Sequence, residues 1–420
     1  MVFDRFKKIG NKLSGDYIVG LDVGTEFVKA LIARVDGENL IVVGSGKSRQ
    51  DVSNMHLGAI ADINGVVRCC EDALAQAEEQ ASLQAKRVVI GIAGELVKGT
   101  TTTIRYRRPN PDKALDENEM EFIIDKVQGR AEERAQKQIA LETGNDQVEV
   151  KLVNSAIVSI HIDGYKVSNP LGFQGKDVAI QIYTAFAPMV HIGALERVAD
   201  ELALDLIAVA AEPFAVSRSV IGTDASSTFT AILMDVGGGT TDIAVVNDGG
   251  VEGTKMFGIG GRSFTRTIEN DLGINYTEAE KLKVNIDNDK LKASVRTKLD
   301  EATDRTLEVW LDGVELALSE FTGLDHLPQR ILLCGGGSSL AKLSEALEGD
   351  EWCKDLPFVK HPSVQLVKPD EVVGINDETG LASDHTFVTA MGLLRVGYDT
   401  IVSVDEATSI KDKLNKILKV

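Results

Sequence analysis

The amino-acid sequence predicts an α/β fold made of two related halves. Strands and helices alternate along the chain, and a strand, turn, strand motif occurs twice. In the first copy the strand 17–21 leads into Asp22-Val23-Gly24-Thr25, and in the second the strand 229–236 leads into Gly237-Gly238-Gly239-Thr240. Each copy places a carboxylate, Asp22 or Asp235, at a strand end and a hydroxyl beyond glycine. An internal duplication is therefore predicted.

Local patterns predict the other elements before the second motif. Apolar residues at helical spacing indicate helices, and runs of β-branched and aromatic residues indicate strands. In chain order these are strand 28–35, helix 66–83, strands 86–94 and 100–108, helix 116–141, strands 150–162 and 176–186, helix 192–202, and a strand ending at Glu212. Asp116 and Glu119 form a predicted capping box. The stretch 86–190 is predicted to be a self-contained α+β insertion.

The second half follows the same logic. A return strand is predicted over 243–246 and a mainly helical region over 284–326, with one long helix at 291–318. The strand 330–333 leads into the glycine loop Cys334-Gly335-Gly336-Gly337-Ser338-Ser339, and a helix follows at 340–347. A glycine loop between a strand and a helix can place a nucleoside against backbone and a helix N-terminus.

Composition narrows the functional classes. The chain has 420 residues, of which 43% are hydrophobic, which predicts a globular protein with two or more domains. A net charge of −19 argues against nucleic acid as a partner. The four cysteines show no C-x-x-C spacing, which indicates a reducing cytoplasm. Apolar runs are too short to span a bilayer, and the first residues do not form an apolar signal region.

The glycine turns predict phosphate binding. Glycines let backbone N–H groups approach an oxyanion closely, and a carboxylate beside them can hold a magnesium ion through its waters. We therefore predict ATP and Mg²⁺, with Asp22 and Asp235 on the hydrated metal. Gly46-Lys47-Ser48 resembles the end of a P-loop, but the first glycine of that motif would be Ile41. No G-x-G-x-x-G opens a helix at the first βα turn, so a dinucleotide fold is not supported.

Both ends of the chain predict basic amphipathic helices. Apolar residues recur at helical spacing among lysines and arginines, on a body that is otherwise strongly acidic. Such helices can lie on an anionic membrane surface, or they can pack on their own domain. The predicted membrane-binding residues are Phe3, Phe6, Ile9, Leu13, Ile410, Leu414, Ile417 and Leu418.

These motifs resemble those of the actin-like ATPase superfamily. The turns at Asp22 and Asp235 resemble its two phosphate motifs, Ala211-Glu212-Pro213 and 389–393 resemble its connecting segments, and 333–338 resembles its adenosine motif. The resemblance implies duplicated ribonuclease-H-like domains and a nucleotide between them. It also implies that Glu212 orients the attacking water if ATP is hydrolysed. The implied nucleotide ligands are Gly24, Thr25, Lys29, Gly237, Gly238, Gly239, Thr240, Gly260, Gly261, Glu280, Lys283, Gly335, Gly336, Gly337 and Ser338.

Within the superfamily the chain resembles the FtsA family over most of residues 16–400, notably at 66–94, at Asn169-Pro170-Leu171-Gly172 and in the insertion. The resemblance implies that the insertion replaces actin's usual small subdomain and contributes to self-association. It also implies a carboxyl-terminal membrane helix and a role in tethering the FtsZ ring to the membrane.

Three features depart from that family. The region 284–326 is predicted to be helical, without the strands that the family uses to contact FtsZ. Glu26 places a negative charge beside the first phosphate turn, so hydrolysis is expected to be slow at most. The amino-terminal basic helix is closer to what some MreB filaments carry.

The predicted organisation follows the chain in six parts. These are a basic helix at 1–15, a first actin-like subdomain at 16–85 and 191–225, the insertion at 86–190, a second actin-like subdomain at 226–275 and 327–405, a reduced helical subdomain at 276–326, and a membrane-targeting helix at 406–420.

The predicted function is an ATP-binding, filament-forming tether between the division machinery and the inner face of the cell membrane. The main alternative is a PilM-like cytoplasmic scaffold of type IV pilus assembly, which the reduced helical region favours. A small-molecule kinase fits less well because no substrate loop follows the first phosphate hairpin. A chaperone would need a peptide-binding domain beyond 393, where fewer than thirty residues remain.

Overall fold

A computed structural model of the chain describes residues 16–94, 97–221, 228–286 and 291–406. A six-stranded sheet organises the first half, in the order β11-β6-β1-β2-β3-β17. Its strands are β1 (Tyr17–Val23), β2 (Phe27–Asp36), β3 (Asn39–Arg49), β6 (Arg87–Ile92), β11 (Asp205–Ala211) and β17 (Ile375–Asp377). A separate hairpin joins β4 (Met55–His56) to β5 (Ala59–Ile60). The α/β fold with two central sheets is thus confirmed.

A nine-stranded sheet spans the second half and the insertion, in the order β16-β15-β12-β13-β14-β7-β10-β8-β9. Its strands are β7 (Lys98–Arg107), β8 (Val150–Ile162), β9 (Tyr165–Lys166), β10 (Asp177–Pro188), β12 (Ala231–Val236), β13 (Thr241–Asn247), β14 (Gly250–Phe257), β15 (Arg330–Cys334) and β16 (Ser363–Leu366). The strands β7 and β14 pair only at Thr100 with Gly253 and at Gly99 with Thr254. The insertion is therefore not self-contained as predicted, because its sheet continues into the second half.

Helices cover these sheets. They are α1 (Ile63–Ala81), α2 (Glu117–Thr143), α3 (Met189–Glu201), α4 (Glu212–Ile221), α5 (Gly261–Leu272), α6 (Tyr276–Val284), α7 (Ala293–Ser319), α8 (Ala341–Leu347) and α9 (Val388–Glu406). Short 3₁₀ turns occur at Gly336–Ser339, Pro369–Glu371 and His385–Phe387. The described residues of 276–326 contain α6 and α7 and no strand.

Two predicted boundaries are wrong. The strand β6 lies between β1 and β11 in the first sheet, so the insertion begins after residue 92 and not at 86. The strand β17 pairs with β3, and α9 packs on β1 and α4, so the end of the predicted second subdomain belongs with the first sheet. Both errors concern which sheet an element joins, a choice that its own sequence pattern does not fix.

The amino terminus of α2 shows half of the predicted capping box. The Asp116 side chain accepts a hydrogen bond of 3.0 Å from the Glu119 backbone N–H, as expected of an N-cap. The Glu119 carboxylate does not return the bond to the helix start. It accepts two hydrogen bonds, of 2.9 and 2.8 Å, from the buried Arg108 guanidinium, which ties the helix to the end of β7.

Close contact between α1 and β3 explains why Gly46-Lys47-Ser48 resembles a P-loop without being one. These residues lie in a strand and not in a loop. A Cβ at Gly46 would lie 1.8 Å from the Ala73 carbonyl oxygen, and one at Gly44 would lie 2.2 Å from that of Ala77. The two glycines therefore allow the helix to pack directly on the strand backbone.

We predict that Gly46→Ala lowers the free energy of unfolding by about 2 to 3 kcal/mol, because the added methyl group forces α1 off the sheet. Gly129→Ala is the matched control. Gly129 lies within α2 with no neighbouring atom within 4 Å of a new Cβ, and alanine there should add about 0.5 to 1 kcal/mol. Urea unfolding followed by circular dichroism measures both. Equal midpoints for Gly46→Ala and wild type would contradict the packing described.

Candidate functional site

A cleft of about 300 Å³ lies between the two halves. The turn after β1, the turn after β12, the start of α5, the end of α6 and the loop after β15 all line it. Most predicted ligands meet there: Asp22, Gly24, Thr25, Lys29, Glu212, Asp235, Gly237, Gly238, Thr240, Gly261, Glu280, Lys283, Gly335, Gly336 and Gly337. The structure therefore brings together residues that are far apart in the sequence.

The two glycine hairpins touch each other across this cleft. A Cβ at Gly238 would lie 2.9 Å from the Glu26 Cβ, and one at Gly239 would lie 2.9 Å from the Thr25 hydroxyl oxygen. Since real Cβ atoms do not approach other atoms so closely, the contact requires glycine. Gly239 thus faces the opposite hairpin and is not part of the cleft wall.

Carboxylates crowd the floor of the cleft. Asp22, Glu212, Asp235 and Asp242 are all buried. Burial, and then the charges of Asp22, Asp242 and Asp235, raise the pKa of Glu212 well above its ordinary value. Burial and then Asp235 do the same to the pKa of Asp242. Burial also raises the pKa of Asp235, although the hydroxyl of Thr389, which donates a hydrogen bond to it, opposes the shift.

One lysine lies among these acids. The Lys29 ammonium donates a 2.8 Å hydrogen bond to the Asp22 carboxylate. Although burial alone would lower it, the pKa of Lys29 is raised, because Asp22 pairs with it and Asp235 and Glu212 add further negative charge. A single cation does not balance this many carboxylates, so the floor of the cleft can accept another positive charge.

The donor set fits a hydrated magnesium ion. The carboxylates that exceed the charge of Lys29 offer oxygen ligands, which this ion prefers. Asp242 accepts a 2.9 Å hydrogen bond from Thr240 at one oxygen, while its other oxygen is buried without a protein partner. The described residues contain no cluster of three or more His, Cys, Asp or Glu that would enclose a metal on its own. Asp22 and Asp235 stay the predicted metal residues.

The charge of Glu26 is paired and not isolated beside the first phosphate turn. The Glu26 carboxylate forms ion pairs of 2.7 Å with Arg49 and with Arg262. Arg262 also donates hydrogen bonds to the carbonyl oxygens of Thr25, at 2.6 Å, and Val52, at 3.3 Å. Two arginines therefore neutralise Glu26 beside the phosphate turn, and Arg262 connects α5 of the second half to the first hairpin.

The opposite end of the cleft combines a polar clamp with an apolar wall. The Lys283 ammonium contacts the Glu280 carboxylate at 2.8 Å and the Gly261 carbonyl oxygen at 2.9 Å. Apolar side chains lie beside this clamp, at Phe264, Val284, Ile286, Leu340 and Leu343. A planar base could pack on this wall, while the clamp could contact a sugar.

Two predicted ligands, Gly260 and Ser338, do not line the cleft but contact residues that do. The backbone N–H groups of Gly261 and Arg262 donate to the carbonyl oxygens of Gly237, at 2.9 Å, and Gly238, at 2.8 Å. A Cβ at Gly260 would lie 2.7 Å from the same Gly237 oxygen, so Gly260 supports the second hairpin.

Ser338 has a similar bracing role. It is buried, and its hydroxyl donates to carbonyl oxygens of Cys334 and Gly335, each at 2.6 Å. Its neighbour Ser339 lines the cleft instead.

Several lining residues had no signal in the sequence. These are Lys47, Asp242, Arg262 and Thr386, together with the apolar wall. Asp242 follows the second glycine turn, but the first copy of the motif has Phe27 where Asp242 would align, so the duplication did not mark it. The predicted membrane-binding residues at both ends lie outside the described residues. No described helix has the length and apolar composition that crossing a membrane requires.

Comparison with known proteins agrees with this geometry. The family described as Cell division protein FtsA matches residues 232–392. Cell division protein FtsA of Pseudomonas aeruginosa is 25% identical over 411 residues, which cover 91% of this chain and 90% of that protein. The protein of the same name from Escherichia coli K12 is 26% identical over 420 residues, with 91% and 90% covered.

A solved chain of the PilM-PilN type IV pilus biogenesis complex superposes with a TM-score of 0.64 at 16% identity, and the match covers 92% of this chain and 99% of that one. Two duplicated hairpins closing on a cleft between two sheets define the chain as a protein of the actin-like ATPase fold. Within that class the chain is similar to proteins named Cell division protein FtsA, as the sequence predicted.

We predict that Glu212→Gln raises the melting temperature of the nucleotide-free protein at about pH 8. A carboxyl group whose folded pKa is raised lowers stability once the pH exceeds its unfolded pKa, and the loss is complete above the folded pKa. The glutamine removes that loss, so its advantage should shrink as the pH falls to about 5.

Scanning calorimetry at the two pH values measures the effect. Glu133→Gln, an exposed position on α2, is the matched control and should change little. An advantage of Glu212→Gln that is equal at both pH values would contradict the electrostatic account.

Proposed function

We propose that this chain is an ATP-binding, actin-like component of the bacterial division machinery. The observation that carries the proposal is the pair of glycine hairpins in contact over a floor of buried carboxylates. The relatives supply the setting, because proteins named Cell division protein FtsA align with about nine tenths of the chain. ATP rather than another nucleotide, and Mg²⁺ as its metal, are part of the proposal.

Different residues of the cleft would bind different parts of the nucleotide. Backbone N–H groups around Gly24 and Gly238 would hold the phosphates, while Glu280 and Lys283 would hold the nucleoside. Asp22 and Asp235 would hold Mg²⁺ through its waters, and the metal would neutralise phosphate charge. Glycine backbone and the side chains of Thr25 and Thr240 together form the wall that would face the phosphates.

Glu212 would position water if ATP is hydrolysed. Burial, and then the neighbouring carboxylates, raise the pKa of this carboxyl in the protein alone. The nucleotide would switch the two halves between open and closed forms rather than be turned over rapidly.

We further propose that the protein self-associates into filaments and is attached to the inner face of the cell membrane. The basic amphipathic sequence of residues 410–418 supports the attachment. An FtsZ-like ring protein is the proposed partner. The helical region 276–326 favours instead a PilM-like scaffold of type IV pilus assembly, which is the second candidate.

We predict that the protein binds a fluorescent ATP analogue with Mg²⁺, and that Gly238→Ala weakens binding at least about tenfold, or about 1.4 kcal/mol. The new methyl group would lie against Glu26 and push the hairpins apart. Gly193→Ala, on α3 with open space around it, is the matched control. Fluorescence titration with and without a chelator measures both. Absence of nucleotide binding by the wild-type protein would overturn the proposed cofactor.

We predict that the protein co-sediments with vesicles rich in phosphatidylglycerol and not with phosphatidylcholine alone, because lysines and apolar residues act together. Deleting residues 409–420, or Leu414→Glu, should abolish co-sedimentation, whereas the control Asn415→Gln should not. Unchanged binding after deletion of both terminal segments would contradict the tether.

Electron microscopy on an anionic monolayer with ATP separates the two candidates, since ordered filaments favour the division protein and their absence favours the scaffold.

A further inference from the structure

A row of three charged residues crosses the first sheet beneath the cleft. In the antiparallel register Asp22 on β1 lies opposite Lys29 on β2, and Lys29 lies opposite Lys47 on β3. Directly opposed residues on neighbouring strands point to the same face of a sheet, with Cβ atoms about 5 Å apart. Lys29 and Lys47 are therefore adjacent like charges, an arrangement that destabilises a sheet on its own.

The two lysines differ in what they contact. Asp22 pairs with Lys29. The Lys47 ammonium instead lies 4.3 Å from the centre of the Phe27 ring and 5.9 Å from that of Phe387. Among the residues that the structure describes, no carboxylate lies within ion-pair distance of Lys47, whereas Lys29, Lys283 and Arg262, the other basic groups of the cleft, each have one.

The strand holds Lys47 in a fixed position. The Gln76 side chain of α1 accepts a hydrogen bond from the Lys47 N–H and donates one to its carbonyl oxygen, each at 3.2 Å. Gly46 beside it is in direct contact with the helix backbone. The chain thus fixes the backbone of an exposed lysine whose charged end lies over aromatic rings.

The surroundings of Lys47 favour an anion with several charges. Desolvation, and then the charge of Lys29, lower the pKa of Lys47, while Asp384 and Asp22 oppose the shift. Asp384 is engaged elsewhere, since one of its oxygens accepts hydrogen bonds from the Thr386 N–H, at 2.9 Å, and hydroxyl, at 2.5 Å. An anion placed between the two lysines would remove their repulsion and give Lys47 a partner.

We propose that Lys47 contacts the terminal phosphate of the bound nucleotide and thereby distinguishes a triphosphate from a diphosphate. The proposal rests on the proposed nucleotide site. Lys47 lines the cleft on the side of the first hairpin, and the apolar wall and the Lys283 clamp come from the other half. A nucleoside at that wall directs its phosphate chain across the hairpins towards the lysine row. Lys47 is then a specificity-determining residue that binds only the last phosphate.

The test compares the affinities of the full chain for ATP and ADP, with Mg²⁺, by isothermal titration calorimetry. The variant is Lys47→Met, which keeps an unbranched chain over the rings and removes the charge. The matched control is Lys126→Met, because Lys126 also lies over a ring, 5.4 Å from the centre of Phe122, outside the cleft. We expect Lys47→Met to weaken ATP binding at least about tenfold and ADP binding less than about threefold. Lys47→Arg should keep the preference, and Lys126→Met should change neither affinity.

A second measurement separates this role from a structural one. Without nucleotide, Lys47→Met should melt no lower than wild type, because the variant removes a like charge beside Lys29. Equal losses for ATP and ADP, or no loss, in a wild-type background that binds nucleotide would overturn the role of Lys47 alone. A wild-type protein that binds neither nucleotide would overturn the nucleotide site and this role with it.

Discussion

The structure of the cleft depends on one contact, in which glycines of the second hairpin meet Thr25 and Glu26 of the first. Gly238 and Gly239 lie against Glu26 and Thr25 at distances that leave no room for a side chain. Arg262 secures the same junction, because it binds both the Glu26 carboxylate and the Thr25 carbonyl oxygen. With the hairpins held together, the strands behind them bring their terminal acids to a common floor. The spacing between hairpins thus sets the width of the whole site.

That floor illustrates a conflict between stability and binding. Four carboxylates lie buried near one lysine, and burial, followed by their mutual repulsion, raises the pKa of three of them, Glu212, Asp235 and Asp242. A protein selected for stability alone would replace such groups with apolar residues. Their presence is understandable if a cation binds there, because its charge would convert mutual repulsion into attraction. The lysine pair on β2 and β3 presents the same conflict with the opposite sign.

The sequence was a good guide where the information is local. The hairpins, the glycine loop after β15 and most helices follow from turn residues and apolar spacing, and the structure confirms them. Contacts between distant segments could not be foreseen in this way. Glu26 and Arg262 are 236 positions apart, so the glutamate looked like an unbalanced charge. In the sequence Lys47 was noticed only as part of a false P-loop motif. Its position beside Lys29 depends on strand register, which only the folded sheet fixes. Which sheet β6 joins, and on which sheet α9 packs, likewise depends on tertiary packing.

The insertion is connected to the rest of the molecule in two different ways. Its chain leaves the first sheet after β6 and returns to it through α3 and β11, so both covalent links run to the first half. Among the described residues, its strand pairing with the second half involves two residue pairs between β7 and β14, and side-chain hydrogen bonds join Thr101 to Val251 and Tyr183 to Thr254. A change in the angle between the halves must therefore be absorbed at this short seam. Because the insertion is attached to the first half by its chain and to the second by this seam, its orientation is coupled to the angle between the two halves.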